Sequence, residues 1–131
     1  MSMSSKTHQL DDSMNEWLQK YSIRETETMV QLRIDTEQLE DGLMITSSEQ
    51  LQFLAFLASS IGAKKAVEVG VFTGASAMAI AQILPEDGVV VACDLTDEYL
   101  PIAMPAWESA GVISKIDMRV GPALETLQSL V

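Results

Sequence analysis

The first third of the chain carries apolar residues at helical spacing. Between residues 10 and 21 they recur every three or four positions, close to Asp11, a residue type that starts helices well. A second helix is predicted from about Glu25 to Leu39, with acidic residues early in the run, where the helix dipole stabilises them. We expect these two helices to form a cap or arm over residues 1–42, ahead of a domain at residues 43–131.

A third helix is predicted after a break at Asp41-Gly42. Residues 43–46 are expected to run extended into this helix, which Ser47 caps and Gly62 ends. Its apolar residues cover most of the helix circumference: Leu51, Phe53, Leu54, Phe56, Leu57, Ala58 and Ile61. We therefore expect the helix to be buried against a sheet.

Three short apolar runs then alternate with helical patterns. The predicted strands are Ala66–Val69, Val89–Cys93 ending at Asp94, and Ile116–Val120. The predicted helices between and after them are 76–84, a helix from about Asp97, and 123–131. This alternation predicts an α/β fold with a parallel sheet. Right-handed crossovers place the strands in the order 3-2-1, half of a doubly wound sheet preceded by two or three helices.

Two prolines complicate the helix from Asp97. Because proline is tolerated only in the first turn of a helix, Pro101 and Pro105 predict that the regular helix starts at Pro105. Asp97 is the candidate cap of this helix, and Ala110-Gly111 ends it.

The strand Ala66–Val69 is nearly continuous in apolar residues, a pattern typical of a strand covered on both faces. The first strand of a complete doubly wound sheet lies at its centre. With only three strands, its outer edge would present unpaired amides and carbonyls, a template for self-association. We therefore expect the sequence to be a fragment or a truncated gene product, and to form a homodimer or another self-association.

Composition narrows the possible partners. The 131 residues are 47% hydrophobic, enough for a core, and the formal net charge of -11 disfavours nucleic acid, since phosphates would be repelled. No window resembles a membrane span or a signal peptide, and a single cysteine, Cys93, fits a reducing cytoplasm. Met1–Thr7 is expected to fray, and His8, the one histidine, is interpreted as a tail residue without a catalytic role.

The turn after the first strand indicates the chemistry. A short strand-to-helix turn brings helix N-terminal amides to the edge of the sheet where α/β proteins bind ligands. Dinucleotide folds need Gly-x-Gly-x-x-Gly there, but Val71 and Phe72 are bulky, and Glu68 would repel two phosphates. S-adenosylmethionine has no phosphate and carries an ammonium and a sulfonium. The turn therefore favours the methyl donor over a dinucleotide.

Other polar positions at this edge have two interpretations each. Asp94 would either accept hydrogen bonds from ribose hydroxyls or cap a helix. Ser76 would either cap its own helix or bind the methionine carboxylate. Thr73 is equally ambiguous. Gly121-Pro122-Ala123 would meet an adenine through backbone amides or form a turn alone. Cys93 is interpreted as a small apolar core residue.

The order and spacing of several segments resemble the caffeoyl-CoA O-methyltransferase-like family, over about residues 18–131. These segments are Met44–Leu54, Glu68–Ser76, Leu84–Gly88, Asp94, Ala110-Gly111 and Gly121–Leu124. The resemblance implies a Rossmann-like class I methyltransferase fold, of which this chain is the N-terminal half. It also implies that S-adenosylmethionine contacts Thr46, Glu68, Gly70, Val71, Ser76, Asp94 and Ala123, with Met44 nearby. The chain departs from the family at Leu51, usually glycine, and at Ala75, usually tyrosine.

The resemblance further implies methyl transfer to a hydroxyl of a catechol-like or acyl-CoA-linked phenol, with a divalent metal holding two oxygens. The metal-binding acids and catalytic lysine of the family lie in segments after a fourth strand, so no catalytic or metal residue is assigned here. One alternative is a catalytically inactive module for self-association or partner binding. A nucleotide-dependent oxidoreductase is another, disfavoured by Phe72.

Overall fold

The computed structural model describes residues 11–131 as helices around a small sheet. The helices are α1 (Asp12–Tyr21), α2 (Glu27–Glu37), α3 (Ser48–Ser60), α4 (Ala75–Ile83), α5 (Leu100–Ser109) and α6 (Ala123–Ser129). The strands are β1 (Lys65–Val69), β2 (Val89–Asp94) and β3 (Ile116–Val120), and two 3-10 turns span Gly42–Met44 and Ile113–Lys115. The predictions for Met1–Thr7, His8 and Leu10 lie outside the described residues.

The three strands are parallel and lie in the order β1-β2-β3, so the predicted 3-2-1 order is confirmed. Val67 pairs with Val91, and Ala92 pairs with Met118. The central strand β2 is buried from Val90 to Cys93, as its continuous apolar run predicts. All three strands therefore present their carboxyl ends at one edge.

The main core lies between β2 and helices α2, α4 and α5. On the strand, Val90 and Ala92 face it. Helix α4 approaches closely because its core positions are small, with Ala77 and Ala81 fully buried. The largest buried side chain is that of Trp107 on α5. The division into a cap at residues 1–42 and a domain at 43–131 stays a prediction, although α2 supplies Met29 and Leu32 to this same core.

Helix α3 is not buried as its pattern predicts. Only Ser48 and Leu51 are buried on it, whereas Phe56 is 63% exposed and Ile61 is 81% exposed. The neighbouring strand β1 is likewise open, with Val67 50% exposed. The reason is that β1 is an edge strand among the described residues, so the sheet does not continue beyond it. Helix α3 therefore packs mainly against α4, and its other faces stay exposed.

Three further local features differ from prediction. Residues 42–44 form a 3-10 turn instead of an extended run, because the Met44 amide donates to the Asp41 carbonyl at 2.9 Å. Helix α5 is regular from Leu100, so Pro105 lies inside it and costs one internal hydrogen bond. The side chain of Asp97 does not cap α5, because the N-cap is Tyr99. The main-chain carbonyl of Asp97 accepts a hydrogen bond from the Leu100 amide at 3.0 Å.

The C-terminus of α3 agrees with prediction. Gly62 has a φ of 63°, and its amide donates to the Ser59 carbonyl at 3.0 Å. The Ala63 amide donates to the Ala58 carbonyl, also at 3.0 Å. This double pattern is the Schellman motif, which satisfies the last helical carbonyls and turns the chain toward β1.

Trp107 lies directly beneath the turn between β1 and α4. Its indole Nε1 donates to the carbonyl of Gly74 at 3.0 Å in a buried position. Gly74, the N-cap of α4, has a φ of 82°, and a Cβ added there would lie 2.5 Å from the indole ring. Glycine is therefore required twice at this position, by the backbone angle and by the close approach.

Gly74→Ala should destabilise the fold by about 1–3 kcal/mol more than Gly111→Ala does. Gly111 is a matched control because its φ is 70° and an added Cβ would meet nothing within 4 Å. Urea unfolding followed by circular dichroism measures both variants. Equal losses of stability would contradict the steric role of Trp107.

Candidate ligand-binding site

The turn from β1 to α4 has an unusual backbone. Gly70 and Gly74 have φ values of 87° and 82°, and Phe72, between them, has a φ of 52°. Positive φ is uncommon for a bulky side chain and needs support from its surroundings. The ring of Phe72 packs edge-on against Tyr99, with centroids 4.6 Å apart.

The carboxylate of Asp94 supplies the main support for this turn. Its Oδ2 accepts from the amides of Val71 at 2.7 Å and Phe72 at 3.1 Å. Burial alone would raise the pKa of Asp94, but these amides, with those of Thr96 and Leu95, lower it below its ordinary value. Asp94 is therefore an anion that holds the turn, a role absent from both sequence interpretations.

Only one oxygen of Asp94 serves the turn. The other, Oδ1, has a long contact of 3.5 Å to the amide of Thr96. Because an ionised carboxylate oxygen accepts two hydrogen bonds, Oδ1 retains capacity for a ligand hydroxyl. The helix-cap interpretation of Asp94 is wrong, since α5 begins at Leu100 with Tyr99 as its N-cap.

Glu68 and Ser76 meet at the start of α4. The Ser76 hydroxyl donates to Oε1 of Glu68, and the N-cap of α4 is Gly74, so the N-cap interpretation of Ser76 is wrong. Burial raises the pKa of Glu68 to about 7; the Ser76 hydrogen bond lowers it in part, and the charge of Asp94 raises it. Glu68 is therefore a carboxyl group that a nearby cation would ionise at neutral pH.

A narrow cleft of about 60 Å³ lies between this turn and the segment before α3. Its two walls are Met44–Thr46 and Gly70–Ser76, apart from Gly74. Four of the predicted contact residues, Thr46, Gly70, Val71 and Ser76, therefore come together. A cleft of this size is smaller than a typical ligand pocket, so it would enclose only part of a ligand.

The remaining predicted contacts extend along the same edge of the sheet. The Gly121 amide, just after β3, donates to the carbonyl of Asp94 at 2.8 Å, and half-buried Ala123 then starts α6. Glu68 lies near the end of β1, Asp94 is the last residue of β2, and Ala123 follows β3. Since adjacent strands lie about 4.8 Å apart, this edge spans roughly 10 Å, a shape suited to an elongated ligand.

Several contacts around the site lie beyond what the sequence indicates. The hydroxyl of Thr73 is buried 2.9 Å from the hydroxyl of Thr36 on α2, so it supports the turn from behind. Arg33 reaches the Thr46 carbonyl, and the Tyr99 hydroxyl donates to Asp41 at 3.3 Å. Each contact joins residues at least 13 positions apart, and no motif or periodicity marks the partners.

The described residues contain neither a cluster of metal-binding side chains nor a helix that could span a membrane. Within residues 11–131, no group of three or more histidine, cysteine, aspartate or glutamate residues could hold a metal ion. In the same part of the chain, no helix has the length and apolar character needed to cross a membrane.

Comparisons with known proteins agree with this geometry. A family model described as O-methyltransferase matches residues 19–131. The chain is 47% identical over 108 residues to caffeoyl-CoA O-methyltransferase 1 of Zea mays, covering 82% of this chain and 42% of that protein. It is 42% identical over 121 residues to catechol O-methyltransferase domain-containing protein 1 of Mus musculus, covering 92% and 46%. The chain thus spans slightly under half the length of these relatives.

A solved structure supports the same relationship. The O-methyltransferase TomG from Streptomyces achromogenes, determined in complex with SAM, aligns with a TM-score of 0.79 at 27% identity, covering 90% of this chain and 53% of that one. The parallel sheet and the likeness to TomG define a Rossmann-like α/β protein of the class I methyltransferase type. The chain belongs to the O-methyltransferase family.

The raised pKa of Glu68 predicts a pH-dependent stability. Between its ordinary pKa of 4.5 and about 7, the folded state holds a proton that the unfolded state has released. Glu68 therefore lowers the free energy of unfolding as the pH rises through this interval. Glu68→Gln should gain stability relative to wild type by up to about 3 kcal/mol between about pH 5 and about pH 8. Urea unfolding across this range measures the difference, and a pH-independent value would contradict the assignment.

Proposed function

We propose that this chain is the S-adenosylmethionine-binding portion of an O-methyltransferase. The observation that carries the proposal is the row formed by Glu68, Asp94 and Ala123 along one sheet edge, with the narrow cleft at the β1 end. Family membership and the complex of TomG with SAM support it. The turn supports the proposal further. A pyrophosphate needs small glycines and no negative charge nearby, whereas this turn carries the bulky Phe72 and follows the acidic Glu68.

The chemistry of these groups fits each part of the methyl donor. Glu68, ionised, would attract the ammonium, and the main-chain amides at the start of α4, that of Ser76 included, would bind the carboxylate. Thr46, Gly70 and Val71 would enclose this amino-acid end in the cleft. Oδ1 of Asp94 would accept from ribose hydroxyls, and the backbone at Ala123 would meet the adenine.

The bound donor would supply an electrophilic methyl group on a positively charged sulfur. The residues described here would orient that methyl group and keep the donor fixed while an acceptor oxygen approaches in line. We propose a small phenolic acceptor, catechol-like or acyl-CoA-linked, because the relatives include a caffeoyl-CoA O-methyltransferase and a catechol O-methyltransferase domain-containing protein. The described residues do not fit a divalent metal, so no step is assigned to one.

Asp94→Asn and Glu68→Gln should each weaken binding of S-adenosylhomocysteine about tenfold or more, since both remove a charged hydrogen-bonding group. Asparagine keeps one oxygen for the amides of Val71 and Phe72, so the turn is retained. Asp87→Asn is the matched control, because Asp87 is exposed in the turn before β2, at the opposite end of the strand. Isothermal titration calorimetry measures the dissociation constants.

Unchanged affinity in both variants would contradict the site assignment. Binding of NADH by the wild-type chain, without any response to S-adenosylhomocysteine, would instead support a nucleotide-dependent oxidoreductase.

We propose as a second candidate function that the chain is a catalytically inactive module that associates with a second copy of itself. Among the described residues, β1 pairs with β2 alone, and Val67 and Val69 on this edge strand are exposed on one face of the sheet. The helix α3 leads into this strand with Phe53 and Phe56 also exposed. The edge of β3 is less suitable, since Asp117 and Arg119 form an exposed ion pair there.

Val67→Lys should shift self-association toward the monomer, because a charge on an edge strand opposes pairing with another strand. Val120→Lys is the matched control, since Val120 is 54% exposed on the opposite edge strand, β3. Light scattering after size-exclusion chromatography over a range of concentrations measures the mass. A wild-type chain that stays monomeric throughout, or equal effects of the two variants, would contradict association through β1.

A further inference from the structure

The helix α2 contacts both walls of the cleft through side chains one turn apart. Thr36 places its hydroxyl 2.9 Å from that of Thr73, in the turn between β1 and α4. Arg33, three residues earlier, donates from Nη1 to the carbonyl of Thr46 at 2.7 Å, in the opposite wall. Residues three apart lie on the same helix face, so one rigid helix is attached to both walls.

The guanidinium of Arg33 is itself fixed in place. Its Nε donates to Oε1 of Glu25 at 2.7 Å, and the two side chains are 14% and 15% exposed. Nη2 is buried and has no hydrogen-bond partner among residues 11–131. The planar fork of arginine allows it to bond a carboxylate and a main-chain carbonyl at once, in a fixed relative orientation. Arg33 does not line the cleft, so any effect on a ligand is transmitted through Thr46.

The other end of this wall is also attached to α2. Gly42 is buried against the helix terminus, and a Cβ added there would lie 2.5 Å from the carbonyl of Thr36. Between Gly42 and Thr46, Met44 is exposed and Ile45 is partly buried. The wall is therefore a short segment held at two points, and Arg33 supplies the hydrogen bond at the point nearer to α3.

We propose that Arg33 is a positioning residue that sets the distance between the two walls of the cleft by holding the Thr46 carbonyl. This inference rests on the proposed function, in which the cleft binds the amino-acid end of the methyl donor. Loss of Arg33 would release the Thr46 wall while Thr36 and Thr73 keep the other wall in place. The expected consequence is a weaker complex without a general loss of structure.

Calorimetry with S-adenosylhomocysteine on the full chain tests this proposal. Arg33→Ala should raise the dissociation constant about tenfold or more, since a hydrogen bond from a charged donor is lost. Arg33→Lys should cause a smaller increase, because an ammonium group keeps the charge but cannot reproduce the fork. Arg24→Ala is the matched control, since Arg24 is exposed and lies outside both walls.

A second readout separates positioning from general destabilisation. Guanidinium ion at millimolar concentration should restore part of the affinity of Arg33→Ala and leave wild type unchanged. Hydrogen exchange of the unliganded variant should be faster at residues 43–47 than in wild type, with exchange in β2 unchanged.

The outcomes distinguish the two proposals. A wild-type chain that does not bind S-adenosylhomocysteine overturns the proposed function and this inference together. Wild-type binding with an equally tight, folded Arg33→Ala variant overturns the positioning role alone. If Arg33→Ala does not fold, the Arg33→Lys measurement decides: wild-type affinity there overturns the proposal. Equal losses in both variants without rescue by guanidinium also overturn it.

Discussion

The two hydrogen bonds from the amides of Val71 and Phe72 to one oxygen of Asp94 connect the ends of β1 and β2. They stabilise a turn in which Phe72 has a positive φ, and the second carboxylate oxygen keeps only a long contact to the Thr96 amide. The main-chain carbonyl of Asp94 also accepts from Gly121, so the end of β3 depends on the same residue. One residue thus organises the edge at which all three strands end, through its side chain at β1 and its main chain at β3.

The helix α2 is the second element on which the site depends. It contributes Met29 and Leu32 to the core, and it contacts the walls of the candidate cleft through Arg33 and Thr36. Packing and site geometry are therefore coupled. A substitution that shifts α2 in the core would also move the two walls of the cleft, because interiors packed at this density transmit displacement.

The sequence predicts the strands and the turn after β1 because those features depend on local patterns, and it predicts the strand order because crossovers are right-handed. The apolar run of β2 and the turn after β1 are examples, since a short segment contains all the information needed. The prediction that α3 and β1 are buried was wrong for a different reason. An apolar pattern shows that Phe56 and Val67 favour burial, but it does not specify what covers them. The contacts of Arg33 and Tyr99 were not predictable, because they join distant segments through main-chain or single side-chain groups.

The position of Trp107 has an optical consequence. The chain has two tryptophans: Trp17 on α1 is 61% exposed, whereas the indole of Trp107 is buried and hydrogen-bonded to the carbonyl of Gly74. An indole in an apolar environment with one fixed acceptor emits at shorter wavelength than one in water. The blue edge of the fluorescence spectrum therefore reports on the turn beneath which Trp107 lies, and the red edge reports on α1. The protein carries an intrinsic probe of its own candidate site, with an internal reference on the first helix.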